Sequence, residues 1–552
     1  MEREESTRGS GGPGGPVDPQ RGCDVAIVGY GPVGQMAAIQ LGRLGHRVAV
    51  FERWPSLYPR PRAVHYDDEV ARILQHVGLA EALQRITEPA TAYEWKSPAG
   101  DTLLMLDRRE PGLSGWPAAT MFAQPDLERL LDHTAKQLPT VEVHQGWEVA
   151  ELADCGERVE LRLRAGAGDG GRWSASGGEA TVSAKYVIGC DGANSVVRET
   201  MRTGVHDLGF AFDWLIADTI PHDPSLLAGV NMQLCDPARP TTMVSGGPGR
   251  RRWEWMLLPG ESREQVEQPD VVWALLAKSQ VGPQDVRLER YAVYTFRARW
   301  AERWRDGRML LAGDAAHLMP PFAGQGMCSG MRDACTLAWH LDLVLRGLAS
   351  QATLDAYTSE RLGHLQHAIA MSVELGKVIC ITDEHEAAAR DEAMLSVAAN
   401  GDRHAIEPPA PLLGAGIRDA GEPHGGTPAA AGTLFPQGRA SIAGPPRLLE
   451  DLLDDGFVLY LHGADARSSL DSHARAYLHS LAASTVHISS EIDLDGTYAA
   501  WFAKHECVAA LVRPDFYVFG TAAAATDVSG LVARLRAALA EHPSTQQERS
   551  TS

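Results

Sequence analysis

Apolar runs and polar breaks divide the chain into recognisable elements. A polar, Gly- and Pro-rich stretch extends to about residue 21, where a disordered tail is expected. DVAIV (24–28) is then a short apolar run suited to a strand buried on both faces. GYGPVG follows, then QMAAIQLGRLG with helical spacing ending at Gly45, then RVAVFER from Arg47 to Arg53. This order predicts a β-α-β unit of roughly 30 residues, an architecture that binds dinucleotides.

Further along, 85–125 carries short β-like pieces and DLERLLDHTAKQ (126–137) reads as an amphipathic helix. RAGAGDGGRWSASGGEA (164–180) is expected to be a Gly-rich hairpin or loop, and AKYVIGCDG a buried strand ending in a tight turn. Between about 204 and 300, IADTI, TTMVS, RRWEWMLLPG and YAVYTFRAR predict an inserted antiparallel sheet. RMLLAGDAAH is a strand into a turn, and Met327 to about 396 is strongly helical. A Pro/Gly-rich linker is expected at about 400–430, before a compact αβ module (GFVLYLHG, DSHARAYLHSLAA, TVHISS, VAALVRPDFYVFG, DVSGLVARLRAALAEH).

At ~150 residues per domain the length suggests two or three domains. With 51 Lys+Arg against 71 Asp+Glu the net charge is −20. That argues against nucleic acid or an anionic membrane surface as the partner. The eight cysteines form no CxxC pair and no zinc-like spacing, so reduced thiols in a cytoplasmic protein are expected. No apolar h-region opens the chain and no run of 18 apolar residues occurs, so neither signal peptide nor membrane span is expected.

Three motifs carry chemistry. Gly29, Gly31 and Gly34, with Pro32 between them, permit a tight turn, close approach of a pyrophosphate and close helix packing. The helix N-terminus supplies N–H donors to phosphate, and Glu52 at the second strand's end can accept from ribose hydroxyls. An acid there favours an unphosphorylated adenosine ribose, as in FAD or NAD. The other two are Asp191-Gly192 in CDGANSVVR and Gly313-Asp314 in LLAGDAAH, each an acid where a strand ends. Such carboxylates can accept hydrogen bonds from a polyol chain. Gly324-Gln325-Gly326 opens a helix whose backbone N–H groups can stabilise negative charge on a reduced ring. Taken singly, each acid-glycine pair is a plain β-turn; in this order after GxGxxG they form a constellation.

That constellation resembles the single-component FAD-dependent aromatic hydroxylases. The branch is that of 3-(3-hydroxyphenyl)propionate hydroxylase and phenol hydroxylase, and the likeness covers about 24–530. RAVHYDDEVARIL, FDWLIADT, QLCDPARPTT, RRWEWMLLPGE, GDAAHLMPPFAGQGMCSGMRDA and RPDFYVFG carry it. Thr336 and His340 depart from many relatives, which carry Asn and Lys there.

The resemblance implies an α/β fold: a Rossmann-like FAD-binding domain (22–85, 122–200 and 300–395) and an inserted antiparallel-sheet substrate domain (86–121 and 201–299). A linker (396–432), a thioredoxin-like C-terminal domain (433–541) and a tail (542–552) would follow. Gly29, Gly31, Gly34, Glu52 and the adjoining Arg53 would hold the ADP half of FAD. Arg62 and Gln124 would touch the pyrophosphate and ribityl region, with Arg62 also a candidate for the nicotinamide nucleotide. Asp191-Gly192 would serve FAD and reductant together, and Gly313-Asp314 the ribityl chain. Pro321 would lie beside the flavin ring, and Gly324 to Met327 along its pyrimidine edge. The implied reaction uses NADH or NADPH as transient reductant and O2 as co-substrate. A flavin hydroperoxide would hydroxylate a phenol ortho or para to its hydroxyl. A natural-product tailoring oxygenase, with Baeyer–Villiger or epoxidation outcomes, and a noncatalytic flavin-binding protein stay open as alternatives.

Weaker signals remain. Trp253 and Trp255 approach the WxWxIP signature of flavin halogenases, but two leucines stand before Pro259 and no Lys lies between Glu52 and Lys96. A sheet strand with one face on the substrate is the better reading. His65, Gln233 and Trp253, with Pro321, are substrate-pocket candidates, and Tyr66 follows His65. His364 and His367 at i, i+3 lack a third ligand, so no metal site is expected. The C-terminal module has one cysteine, Cys507, which points to a structural or dimer-forming role rather than thiol chemistry.

Overall fold

The computed structural model describes residues 22–57, 63–168, 173–225, 231–399, 412–419, 430–441, 444–463 and 470–540. Both expected tails, most of the expected linker and Arg62 lie outside these residues.

The first predicted unit forms as strand Cys23–Val28, helix Pro32–Arg43 and strand Val48–Glu52. Cys23–Val28 is apolar at nearly every position because it is central, paired in parallel with Val48–Glu52 and Trp173–Gly189. Met309–Leu311 and Val141–Gln145 extend the parallel sheet on its two sides. The Gly-rich stretch expected near 164–180 is largely strand: Val159–Gly168 pairs antiparallel with Trp173–Gly189. Helix Gly326–Leu345 packs against this domain; Met331, Leu337 and Leu341 are wholly buried along it.

A second, eight-stranded sheet runs in the order His317–Leu318, Val286–Ala301, Val205–Pro221, Arg251–Met256, Thr241–Ser245, Asn231–Leu234, Ala92–Lys96, Thr102–Asp107. Helices Arg263–Val266 and Pro269–Lys278 cover one face, the first opened by a Ser262–Gln265 capping box. Of the segment 86–121 expected in this sheet, only Ala92–Lys96 and Thr102–Asp107 join it. Thr87–Pro89 and Ala119–Phe122 instead form a three-stranded sheet with His65–Asp67, because Ala119–Phe122 pairs antiparallel with both of its neighbours.

The C-terminal module is a four-stranded mixed sheet, Ser484–Ile488, Val458–His462, Ala509–Val512 and Val518–Ala522. Helices Ser472–Ser480, Thr497–Lys504 and Val528–Ala540 accompany it. Buried charge fastens it to the rest of the chain. Arg513 pairs with Glu360 at 2.8 Å, and Arg72 pairs with Glu450 and donates to the Phe435 carbonyl at 2.5 Å. The two departures from the family pattern lie at this junction. Thr336 Oγ1 donates to Asp515 at 3.0 Å, and His340 Nε2 lies 3.4 Å from Glu360. Among the described residues no helix is long and apolar enough to cross a membrane.

Candidate active site

The turn after Cys23–Val28 is fixed by steric necessity. Gly29 has φ 98°, and a Cβ there would fall 2.4 Å from the Cys190 carbonyl oxygen. A Cβ on Gly34 would fall 2.2 Å from the Gly29 carbonyl oxygen, so helix and turn meet only through glycine. Gly31 differs: a Cβ there would meet nothing within 4 Å. Its neighbour Pro32 starts the helix, where its missing N–H costs nothing. The free space at Gly31 lies directly before the helix's unsatisfied amides. Glu52 accepts from the Tyr30 and Trp54 amides at 2.8 and 2.9 Å. Burial raises its pKa against those two donors. Arg53 is exposed, with its guanidinium over the Trp54 ring.

The two acid-glycine turns converge on the same place. Asp191 Oδ2 accepts from the Val196 amide at 2.7 Å, at the start of helix Val196–Met201. Its Oδ1 is buried with no partner among the described residues, and a Cβ on Gly192 would meet nothing within 4 Å. Burial raises the Asp191 pKa, opposed by Ser195 and nearby amides. Gly313, before the half-buried Asp314, lies against Val33 of the GxGxxG turn; a Cβ there would fall 3.0 Å from Val33 Cγ2. Arg198, which sequence reasoning missed, clamps both turns by donating to the Ala193 and Ala315 carbonyls at 2.7 and 2.8 Å.

Beside them runs the loop Pro321–Ala323, then Gly324, Gln325 and the helix from Gly326. Gly324 has φ 66°, and a Cβ on it would fall 2.6 Å from His65 Nδ1, so His65 lies against this loop. The Gln325 side chain turns backwards: it donates to Asp67 and accepts from Arg332, each at 3.0 Å. Arg332 also binds Asp67 and Glu69 at 2.6 and 2.5 Å, and the Tyr517 hydroxyl of the C-terminal module donates to Glu69 at 2.8 Å. Gly326 and the half-buried Met327 begin the helix; a Cβ on Gly326 would meet only Met319 Cγ, at 3.8 Å. Gln124 opens helix Gln124–Gln137, where its side chain accepts from the Ala63 amide and donates to Glu128.

Across from this loop stands the second sheet. Trp214 meets Phe322 edge-on at 5.6 Å, so the face bearing Trp214 looks toward Pro321 and Phe322. Gln233 is wholly buried and ties neighbouring strands, donating to the Thr241 carbonyl and accepting from Thr242 at 2.5 Å. Trp253, expected at the substrate, is on the opposite face. It stacks on Trp255 beneath the helices, and its Nε1 donates to Thr219 at 3.2 Å. Strand alternation decides this, since Trp253 pairs with Ala217 while Trp214 pairs with Met256. His364 is engaged by Arg361 at 3.1 Å in the buried charge network.

The turn, the two acids and the open helix ends form a cradle for a phosphate-bearing ligand with a hydroxylated chain, and the orphaned Asp191 oxygen fits one of those hydroxyls. The chain matches the FAD binding domain family over residues 22–372 and the HcaD C-terminal domain over residues 432–538. It is 38% identical over 538 residues to a probable NADH-specific resorcinol 4-hydroxylase of Rhodococcus jostii, covering 95% of this chain and 97% of that one. A 3-(3-hydroxy-phenyl)propionate/3-hydroxycinnamic acid hydroxylase of Klebsiella pneumoniae is 33% identical over 528 residues, with 90% and 92% covered. In fold the chain is similar to the flavin-dependent monooxygenase PieE, solved with FAD and substrate. The TM-score is 0.77 and identity 21%, covering 94% of this chain and all of that one. Aklavinone-11 hydroxylase, solved with FAD and aklavinone, gives a TM-score of 0.72 at 24% identity, covering 93% and 98%. The protein belongs to the FAD-binding family of single-component aromatic hydroxylases.

Proposed function

We propose that the protein hydroxylates a small phenol of the resorcinol type, with NADH as reductant and O2 as co-substrate. The observation that carries this reading is the facing of two surfaces across Phe322, an FAD cradle on one side and an aromatic-lined sheet on the other. The extent of the likeness to the resorcinol 4-hydroxylase relative supports the choice of phenol and of NADH.

In this reading the N-terminus of helix Pro32–Arg43 holds the pyrophosphate through the space at Gly31, and Glu52 accepts from the adenosine ribose. Asp191 and Asp314 accept from the ribityl chain, and the amides from Gly324 to Met327 face the pyrimidine edge. Bound FAD would supply the hydride-accepting and oxygen-transferring chemistry, with NADH as reductant and O2 as the oxygen source. The sheet would hold the phenol against the flavin loop and keep water out, which limits wasteful peroxide release. The inserted sheet is the substrate domain, the C-terminal module is a thioredoxin-like domain that can mediate a homodimer, and the acidic protein works in the cytoplasm without nucleic acid.

The test is NADH and NADPH oxidation by purified holoenzyme with resorcinol and with 3-(3-hydroxyphenyl)propionate. The expected result is NADH oxidation stimulated by resorcinol. Stimulation by the propionate alone overturns the substrate choice.

A further inference from the structure

We propose that Glu254 is the group that takes the phenolic proton from the substrate. This rests on the reading above, in which the phenol lies between the flavin loop and the second sheet.

The register sets the position. Glu254 pairs with Ile216 on one neighbouring strand and with Thr242 on the other. It therefore shares the sheet face of Trp214 and Met256, not the helix-covered face of Trp253 and Trp255. Two further contacts locate that face. Trp214 meets Phe322 of the flavin loop. Tyr93, close enough to Glu254 to feel its charge, packs with Val64 and Met121 beside the His65 strand. Glu254 thus lies on the sheet face that is turned toward the flavin loop and the His65 strand.

Its surroundings leave the carboxyl able to take a proton. Glu254 is 9% exposed, and the cation it pairs with is Arg252 of its own strand. Its ion-pair partner Arg252 stands 3.8 Å away and is committed to Asp218, with bonds of 2.8 and 3.0 Å. Arg290, from the strand beyond, also goes to Asp218, at 2.7 Å. The Thr242 hydroxyl opposite is spent on Gln233. Burial pushes the Glu254 carboxyl up to about 7, with Arg252 pulling down and Asp218 pushing up. A base titrating there is matched to neutral pH, whereas a free phenol titrates near ~10.

In the step itself the phenolic O–H bond breaks, its electron pair stays on oxygen and the proton goes to the Glu254 carboxylate. The ring becomes electron-rich before it receives oxygen. After transfer the ring carbon sheds its proton to water, and the product oxygen takes the proton of Glu254 back.

The experiment compares wild-type holoenzyme with Glu254→Gln and Glu254→Asp. Resorcinol is the substrate, and a fluorinated resorcinol already ionised at the assay pH is the control. For the wild type we expect an acid limb in kcat near pH 7 and an infrared carboxyl band titrating with it. For Glu254→Gln we expect kcat with resorcinol to fall about 100-fold. Resorcinol affinity, read from the flavin difference spectrum, changes less than about threefold, the pH limb and the infrared titration vanish, and the fluorinated substrate recovers most of the rate. Glu254→Asp keeps the limb. Equal losses with both substrates, or a wild-type profile flat between pH 5.5 and 8.5, overturn the proposal, and the wild-type profile decides even if a variant fails to fold. A wild type that oxidises no NADH with any phenol refutes the proposed function instead.

Discussion

Buried carboxylates around the flavin loop end at opposite extremes of proton affinity. Behind it, Asp67 receives Arg332 at 2.6 Å, the Gln325 amide and the Val70 amide of its own helix. Burial pushes it up, yet those donors hold it at about 2. Glu360 is held at about 2 in the same way, by Arg513 at 2.8 Å and by His340. Across the loop, Glu254 is pushed up to about 7 with one shared arginine at 3.8 Å. Burial acts in one direction on all three, so the number and distance of donors decide which acids are fixed charges and which can exchange a proton. Asp67 braces the loop and Glu360 the junction with the C-terminal module, while the loosely held acid is the one proposed to meet the reacting ring.

The largest expected break in this contrast is Arg513→Ala. It strips Glu360 and Asp515 of their shared cation and leaves buried charge exposed to nothing, at a cost of about 3–5 kcal/mol. Chemical denaturation should show it as early loss of the C-terminal module. Glu254→Gln comes next and has the opposite sign. Asp67 and Glu360 have folded pKa values below their ordinary 3.8 and 4.5, so their stabilisation is complete above those values and is lost as pH falls toward 2. Glu254 lies above its ordinary 4.5, so it weakens the native state as pH rises from 4.5 to about 7. At ~1.4 kcal/mol per unit, that penalty is roughly 3 kcal/mol. The loss of stability over this window should therefore be smaller in Glu254→Gln by that amount, with the raised Asp68 still contributing in both proteins, and an unchanged slope would contradict the assignment.

Smaller effects sharpen the picture. Tyr517→Phe removes one hydrogen bond to a charged acceptor, worth about 1.5 kcal/mol, and should loosen the module without unfolding it. The visible flavin spectrum should shift slightly, because Glu69 and Arg332 lead to Gln325. Gly31→Ala should leave apo-protein stability within about 0.5 kcal/mol, since φ is −73° and the Cβ direction is empty. FAD affinity, by contrast, should fall about tenfold, one of the larger ligand effects from so small a change. A fall in stability with unchanged FAD affinity would mean the space is not the ligand's.

What the sequence made legible was local. The GxGxxG turn, Glu52 and the acid-glycine turns lie within short spans, and the spacing of small and acidic residues is the chemistry itself. Trp253 went to the wrong face because Arg251–Met256 is buried on both faces, so alternation in RRWEWM carries no label for which side meets the substrate. Glu254 was hidden for the same reason. Asp67, Glu69, Arg332 and Tyr517 were missed because their partners come from remote parts of the chain: Tyr517 and Glu69 are 448 positions apart. The only local hint was polar residues in RDA of an otherwise buried helix, where Asp333 pairs with His317 at 2.6 Å and Arg361 at 3.1 Å.

The most direct test of the account is product analysis with purified, FAD-loaded protein, NADH, O2 and resorcinol. The expected result is NADH consumption stimulated by the phenol and a product heavier by one oxygen, on a ring carbon ortho or para to a hydroxyl. A protein that takes up no FAD, or holoenzyme that consumes NADH only to release hydrogen peroxide with every phenol offered, would contradict it.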